Sequence, residues 1–181
     1  VSFSGTDATS GLDSCVEPQV YSGPDDQTAS VSGSCIDRAG NTTVSVFSLE
    51  YDATGPVVTS TPGRAPDSNG WYNHALIITF TGADATSGVD SCVGPQTYAG
   101  PDDQHASVSG SCVDRAGNST TNVFGLSYDA TGPVVNATPS RAADSNGWYN
   151  HALTVAFSGT DATSGLDSCV PPQSYEGPDS E

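Results

Sequence analysis

The chain has 181 residues and a formal charge of −17 at pH 7, with 21 acidic side chains set against four arginines and no lysine. Phosphate recognition needs a basic face, so nucleic acid is not expected as a partner, and anionic membrane surfaces are disfavoured for the same reason. No apolar run approaches the ~20 residues that span a bilayer, so no membrane insertion is expected in this segment. The hydrophobic content of 35% leaves apolar surface for small cores only.

The sequence repeats itself. Ser4–Cys15 reads Ser-Gly-Thr-Asp-Ala-Thr-Ser-Gly-Leu-Asp-Ser-Cys; it returns with three changes at Thr81–Cys92 and unchanged at Ser158–Cys169. Cys15, Cys92 and Cys169 follow one another at intervals of 77 residues, and the rest of the chain keeps the same step. A fixed period of this length marks a tandem array. Residues 1–56 read as the C-terminal part of one repeat, 57–133 as a complete repeat and 134–181 as the N-terminal part of a third. The chain thus reads as a segment of a longer protein.

Cysteine usage follows the period. Cys15 pairs with Cys35 and Cys92 with Cys112, while the partner expected for Cys169 falls eight residues past Glu181. Each pair closes about twenty residues, which stabilises by roughly 3 kcal/mol in the chain-entropy model. Zinc is the weaker alternative, because its ligands usually come as close Cys-x-x-Cys pairs. Disulfides imply an oxidising, extracellular setting.

Along the complete repeat, Val57–Thr61 is a β-branched run stopped by Pro62 and reads as an edge strand. Gly63–Asn69 is a loop, and Asn69-Gly70 is a turn signal. Trp71 and Tyr72 read as a cover over the open end of the core; stacking on a sugar is their alternative role. Ala75–Gly82 alternates, with Leu76, Ile78 and Phe80 on the core face. The acidic turn follows, then a strand running through Cys92 to Tyr98. Gly100-Pro101-Asp102-Asp103 is a turn. Ala106–Asp114 places Ala106, Val108, Gly110 and Cys112 on one face, which points the disulfide inward. Asp114–Asn118 is a tight connection, and Ser119–Asp129 puts Phe124, Leu126 and Tyr128 on one face. No window has a helical period. Short strands with turns every eight to twelve residues predict an all-β fold of β-sandwich type.

Four motifs in order carry a resemblance: Gly-Trp-Tyr-Asn at 70–73, Asp-x-x-Ser-Gly-x-Asp at 84–90, Asp-Arg-Ala-Gly-Asn at 114–118, and Tyr-Asp-Ala-Thr-Gly-Pro at 128–133. Together they resemble bacterial immunoglobulin-like tandem repeats of extracellular surface proteins and adhesins, over the whole chain. The resemblance implies tandem immunoglobulin-like β-sandwiches, here with one disulfide per repeat, serving as an extracellular spacer or adhesive stalk often stiffened by calcium at its joints. In that topology the acidic turn, the Asp114–Asn118 connection and the preceding joint share one pole. Asp52, Asp84, Asp90 and Asp114 would then converge as an interdomain calcium site, and Asp129, Asp161 and Asp167, with Asp144 from the opposing loop, would form the second. The competing reading is that these aspartates satisfy turn backbones, as aspartate commonly does.

Catalysis is not expected: His74 and His151 are one repeat position, and His105 has no counterpart in the first copy. The absence of lysine excludes a Lys–Asn isopeptide crosslink. Asn41, Asn118 and Asn136 head Asn-x-Ser/Thr sequons, and the equivalent Asn41 and Asn118 are candidate glycosylation sites. The function expected is a structural one, a stiff stalk or fibre on or outside the cell, with neighbouring repeats or copies of itself as partners. The alternative is an adhesive or carbohydrate-binding accessory module of a larger secreted protein.

Overall fold

The computed structural model describes residues 1–177, and among them the fold is all-β, with thirteen strands and no helix. In chain order these are β1 (Leu12–Cys15), β2 (Asp26–Asp37), β3 (Thr42–Tyr51), β4 (Val57–Pro62), β5 (Trp71–Tyr72), β6 (Leu76–Ala83), β7 (Val89–Cys92), β8 (Gln96–Tyr98), β9 (Asp103–Asp114), β10 (Ser119–Tyr128), β11 (Val134–Pro139), β12 (Leu153–Thr160) and β13 (Gln173–Tyr175). They form four sheets, ordered β1-β2-β3, β4-β6-β8, β5-β10-β9-β7 and β11-β12-β13. Among the described residues, no helix is long and apolar enough to cross a membrane.

The alternation read in the sequence decides burial. Along β6, Leu76 and Ile78 are fully buried and Phe80 nearly so, while Ile77 between them is exposed. On β9, Ala106 and Cys112 are buried, and on β10, Leu126 and Tyr128. β4 lies at the edge of its sheet, as its terminal proline requires.

The chain packs as two compact units. One comprises Val1–Thr61, Thr79–Pro95 and Ser109–Val123, the other Pro62–Ile78, Gln96–Val108 and Phe124 onward. In the first, the ring of Phe80 lies over Gly110 so closely that a Cβ on Gly110 would sit 2.3 Å from it. Phe3 covers Gly33 in the same way, at 2.2 Å. Both disulfides are here: Cys15–Cys35 and Cys92–Cys112 each join directly opposed residues of neighbouring antiparallel strands, with Cα atoms 4.0 Å apart. Cys112 is fully buried, so that bridge points inward as expected.

In the second unit β5 pairs parallel with β10, Trp71 opposite Ser127 and Tyr72 opposite Tyr128. Tyr98 meets Tyr128 edge to face at 5.2 Å, a favoured aromatic geometry. The loop before β5 is held by Arg64. Its guanidinium reaches Asp67 at 2.6 Å, donates to the His74 carbonyl, and lies 5.2 Å from the centre of the Tyr72 ring. Arg141, Asp144, His151 and Tyr149 repeat the clamp.

One expectation is corrected. Cys92 to Tyr98 is not a single strand. β7 pairs with β9 and β8 pairs with β6, so the chain changes sheet between Cys92 and Gln96. Gly94-Pro95 lies at the crossing, and proline has no N–H to continue the β7 ladder.

Candidate functional site

The acidic turns are built by their aspartates. Asp84 Oδ1 accepts the N–H groups of Thr86, Ser87 and Gly88 at 3.1, 3.0 and 2.9 Å. Asp7 does the same for Thr9, Ser10 and Gly11, and Asp161 for Thr163, Ser164 and Gly165. The motif Asp-Ala-Thr-Ser-Gly is therefore one carboxylate gathering three successive N–H donors, closed by a glycine at positive φ, +78° for Gly88.

The Asp-Arg-Ala-Gly-Asn connection follows a related plan. Asp114 Oδ1 accepts the Asn118 N–H at 2.8 Å, and Oδ2 accepts the Asn118 side-chain amide at 2.9 Å. Asp114 is 2% exposed, so these bonds replace water the carboxylate has lost. The same amide also donates to the carbonyls of Asp52 and Thr54 at 3.2 and 3.4 Å. Asn118 thus ties the connection to the segment that precedes β4.

That segment, Asp52–Pro56, brings its own acid. Asp52 Oδ1 accepts the Thr54 N–H at 3.0 Å and Oδ2 accepts the Ser87 N–H at 3.0 Å. Asp25 accepts the Ala53 N–H at 2.9 Å and the Thr54 hydroxyl. The arrangement recurs in the second unit: Asp129 takes Thr131 and Ser164 N–H, both at 3.0 Å, and Asp102 takes the Ala130 N–H at 2.8 Å. Asp52, Asp84 and Asp114 present carboxylate oxygens that all lie within 4.8 Å of one another.

Ser87, followed by the N–H of Thr54, holds the Asp52 carboxyl below its ordinary value. Ser164, then Thr131, does so for Asp129, and the Ala130 N–H, then the Thr131 hydroxyl, for Asp102. Asp7, Asp26 and Asp37 are lowered by their turn donors, and Asp67 and Asp144 first by their arginines. A depressed folded-state pKa gives stability that is present above the unfolded value, 3.8, and lost as pH falls below it. Protonation also relieves the repulsion of a highly acidic chain, but at ~0.15 M salt that long-range term is screened beyond about 8 Å. The melting temperature is accordingly expected to hold from pH 7 to about pH 5 and to fall below about pH 4. A melting temperature that rises on acidification would show general repulsion to dominate.

The remaining expected site residues are placed differently. Asp90 is exposed on β7 and stays out of the acidic group, because its neighbour Val89 takes the inward position. Asp167 is exposed as well. Asp144 is engaged by Arg141 and by the Asn150 N–H, which fixes it in its own loop. Cys169 has no disulfide partner among the described residues. The Asn41 side-chain amide donates to Asp37 at 2.8 Å, and that of Asn118 makes the three bonds above. Asn136 is exposed on β11. Sequence reasoning missed Asp25 and Asp102; the signal was the Asp-Asp pair after Gly-Pro, present in both copies.

No protein-family model matches the chain, and neither a curated protein nor a solved structure does.

Proposed function

We propose that the chain is part of an extracellular array of tandem immunoglobulin-like sandwiches whose function is mechanical. Each short joint is locked by hydrogen bonds, so that the array stands out stiffly from the cell as a stalk or fibre. The observation that carries this reading is the capture of Asp52, in the joint, by Ser87 N–H of the acidic turn, with Asn118 reaching the Asp52 and Thr54 carbonyls. The equivalent pair Asp129–Ser164 gives the same bond in the next joint. A five-residue connection bonded at its carboxylate, N–H and carbonyl groups loses the freedom a linker of that length otherwise has. The disulfides fit the oxidising environment this location supplies.

Amide hydrogen exchange on the whole chain tests it. Ser87 N–H, shared between Asp52 and Asp84, is expected to exchange slowly, and Asp52→Ala to speed Ser87 while leaving Ser164 unchanged; Asp129→Ala should do the reverse. Small-angle scattering of the double variant should show a broader distribution of dimensions. Fast exchange of Ser87 in the unaltered chain, or unchanged scattering in the double variant, would overturn the lock.

A second reading adds a cation at Asp52, Asp84 and Asp114. The convergence of three carboxylate oxygens within 4.8 Å favours it, and an all-oxygen donor set suits calcium, whose coordination geometry is flexible. Bound there, calcium would neutralise the cluster; the N–H donors already described do part of that work alone. Melting with calcium and then with chelator separates the two: a reversible shift supports the ion, and an unchanged midpoint leaves the hydrogen-bonded lock by itself.

A further inference from the structure

A cavity of about 560 Å³ opens in the second unit between the Ser68–His74 loop, the Asp129–Pro133 joint and the Asp161–Asp167 turn. Its size is that of a small-ligand site. Trp71 lines it, half-buried, with Asn69, Asn73, Leu166 and Asp167 around it. Asn69, Asn73 and Asp167 are exposed, and their side chains make no hydrogen bond within the described protein, in contrast to the heavily bonded Asp129 and Asp161 beside them. The loop is pre-formed: Arg64 and the backbone bonds between Ser68 and Trp71 hold it, and Asn69 sits at φ +47°. The cavity thus offers one aromatic face and free amide and carboxylate groups on a fixed frame.

We infer that this cavity is a binding subsite for a neutral polysaccharide, with the pyranose C–H face packed on Trp71 and its hydroxyls bonded by Asn69, Asn73 and Asp167. An indole provides a large apolar surface with a polar edge, which matches a sugar ring that is apolar on its faces and polar around its rim. Asparagine supplies both a donor and acceptors, and an ionised aspartate accepts from hydroxyls. Charge selects the class: with Asp129, Asp161 and Asp167 lining the cavity and −17 on the chain, uronate or sulfated glycans are repelled. The inference is independent of the joint lock, since it uses the groups the lock leaves free. Trp148 carries the same Gly-Trp-Tyr-Asn motif but is 72% exposed, and no acidic turn or joint lines the hollow beside it.

The test is affinity electrophoresis of the whole chain in gels containing a soluble β-glucan, a galactomannan, a xylan or, as the anionic control, alginate. Retardation by at least one neutral polysaccharide and none by alginate is expected. Trp71→Ala should weaken it at least tenfold, Asn73→Ala severalfold, and Trp148→Ala less than twofold. Because Trp71→Ala can perturb the fold, Trp148→Phe serves as a second variant in which all tryptophan fluorescence comes from Trp71. Its emission should shift with saturating dependence on the retarding polysaccharide. No retardation by any neutral polysaccharide, equal losses from the two tryptophan variants, or an unmoved Trp71 emission overturns the proposal. Intact Ser87 exchange in that case would leave the joint lock standing.

Discussion

Gly110→Ala is expected to lower stability by about 3 kcal/mol, the upper range for adding one methyl group to a packed core. The reason is the ring of Phe80. A Cβ on Gly110 would stand 2.3 Å from Cδ2 and 2.4 Å from Cγ, well inside van der Waals contact, and Phe80 is itself only 3% exposed. The ring has no solvent to move into, so either β6 or β9 must shift, and both carry other core residues. For a domain of 60–100 residues such a loss corresponds to a drop of roughly 10–20 °C in melting temperature. Gly33→Ala makes the same clash with Phe3 but should cost less, because Phe3 is only half-buried and its ring can shift toward solvent. Combining Gly110→Ala with Phe80→Leu should recover part of the loss, a coupling that a double-mutant cycle reads directly. Urea denaturation of the unaltered chain, the three single variants and the double variant checks this; a Gly110→Ala effect no larger than that of Gly33→Ala would refute it.

That contact shows where the sequence was informative and where it fell silent. Period-two alternation placed Leu76, Ile78 and Phe80 in the core, since a strand writes its burial directly into every second residue. The cysteine pairs followed from the 77-residue step. Alternation also placed Gly110 on the same face as Cys112, but it could not say which side chain from the other sheet fills the space that glycine leaves. That pairing depends on register between strands far apart in sequence. The parallel pairing of β5 with β10 was equally hidden, because two residues carry no period. Asp90 stands outside the acidic group because Val89 and Asp90 are consecutive on a strand, and only one can face inward. The clamp of Arg64 on Asp67 was visible as a repeated Arg-x-x-Asp, but its partners, the His74 carbonyl and the Tyr72 ring, appear only once the loop is folded.

Asp114 sits where turn, core and joint meet, and its removal separates their contributions. Asp114→Ala is expected to cost about 2–4 kcal/mol, because it strips two charge-assisted hydrogen bonds, leaving the Asn118 N–H without its acceptor and the Asn118 amide with only the Asp52 and Thr54 carbonyls in a partly buried site. Asp37 makes the equivalent bonds to Asn41, at 2.8 Å each, but it is only half-buried and Asn41 is exposed. Water can replace those bonds, so Asp37→Ala should cost distinctly less. Asp114→Asn is the more revealing change. It keeps an acceptor for the Asn118 N–H but sets an NH2 group against the Asn118 NH2. Asn118 can relieve this by rotating its amide, and in doing so it gives up donation to the Asp52 and Thr54 carbonyls. The cost then moves from the turn to the joint: the melting temperature should fall less than in Asp114→Ala, while the amides around Asp52–Thr54 exchange faster. Equal melting temperatures for Asp114→Ala and Asp37→Ala would make Asp114 a turn residue and nothing more. Slow joint exchange in Asp114→Asn would place the lock on Asp52 and Ser87 alone.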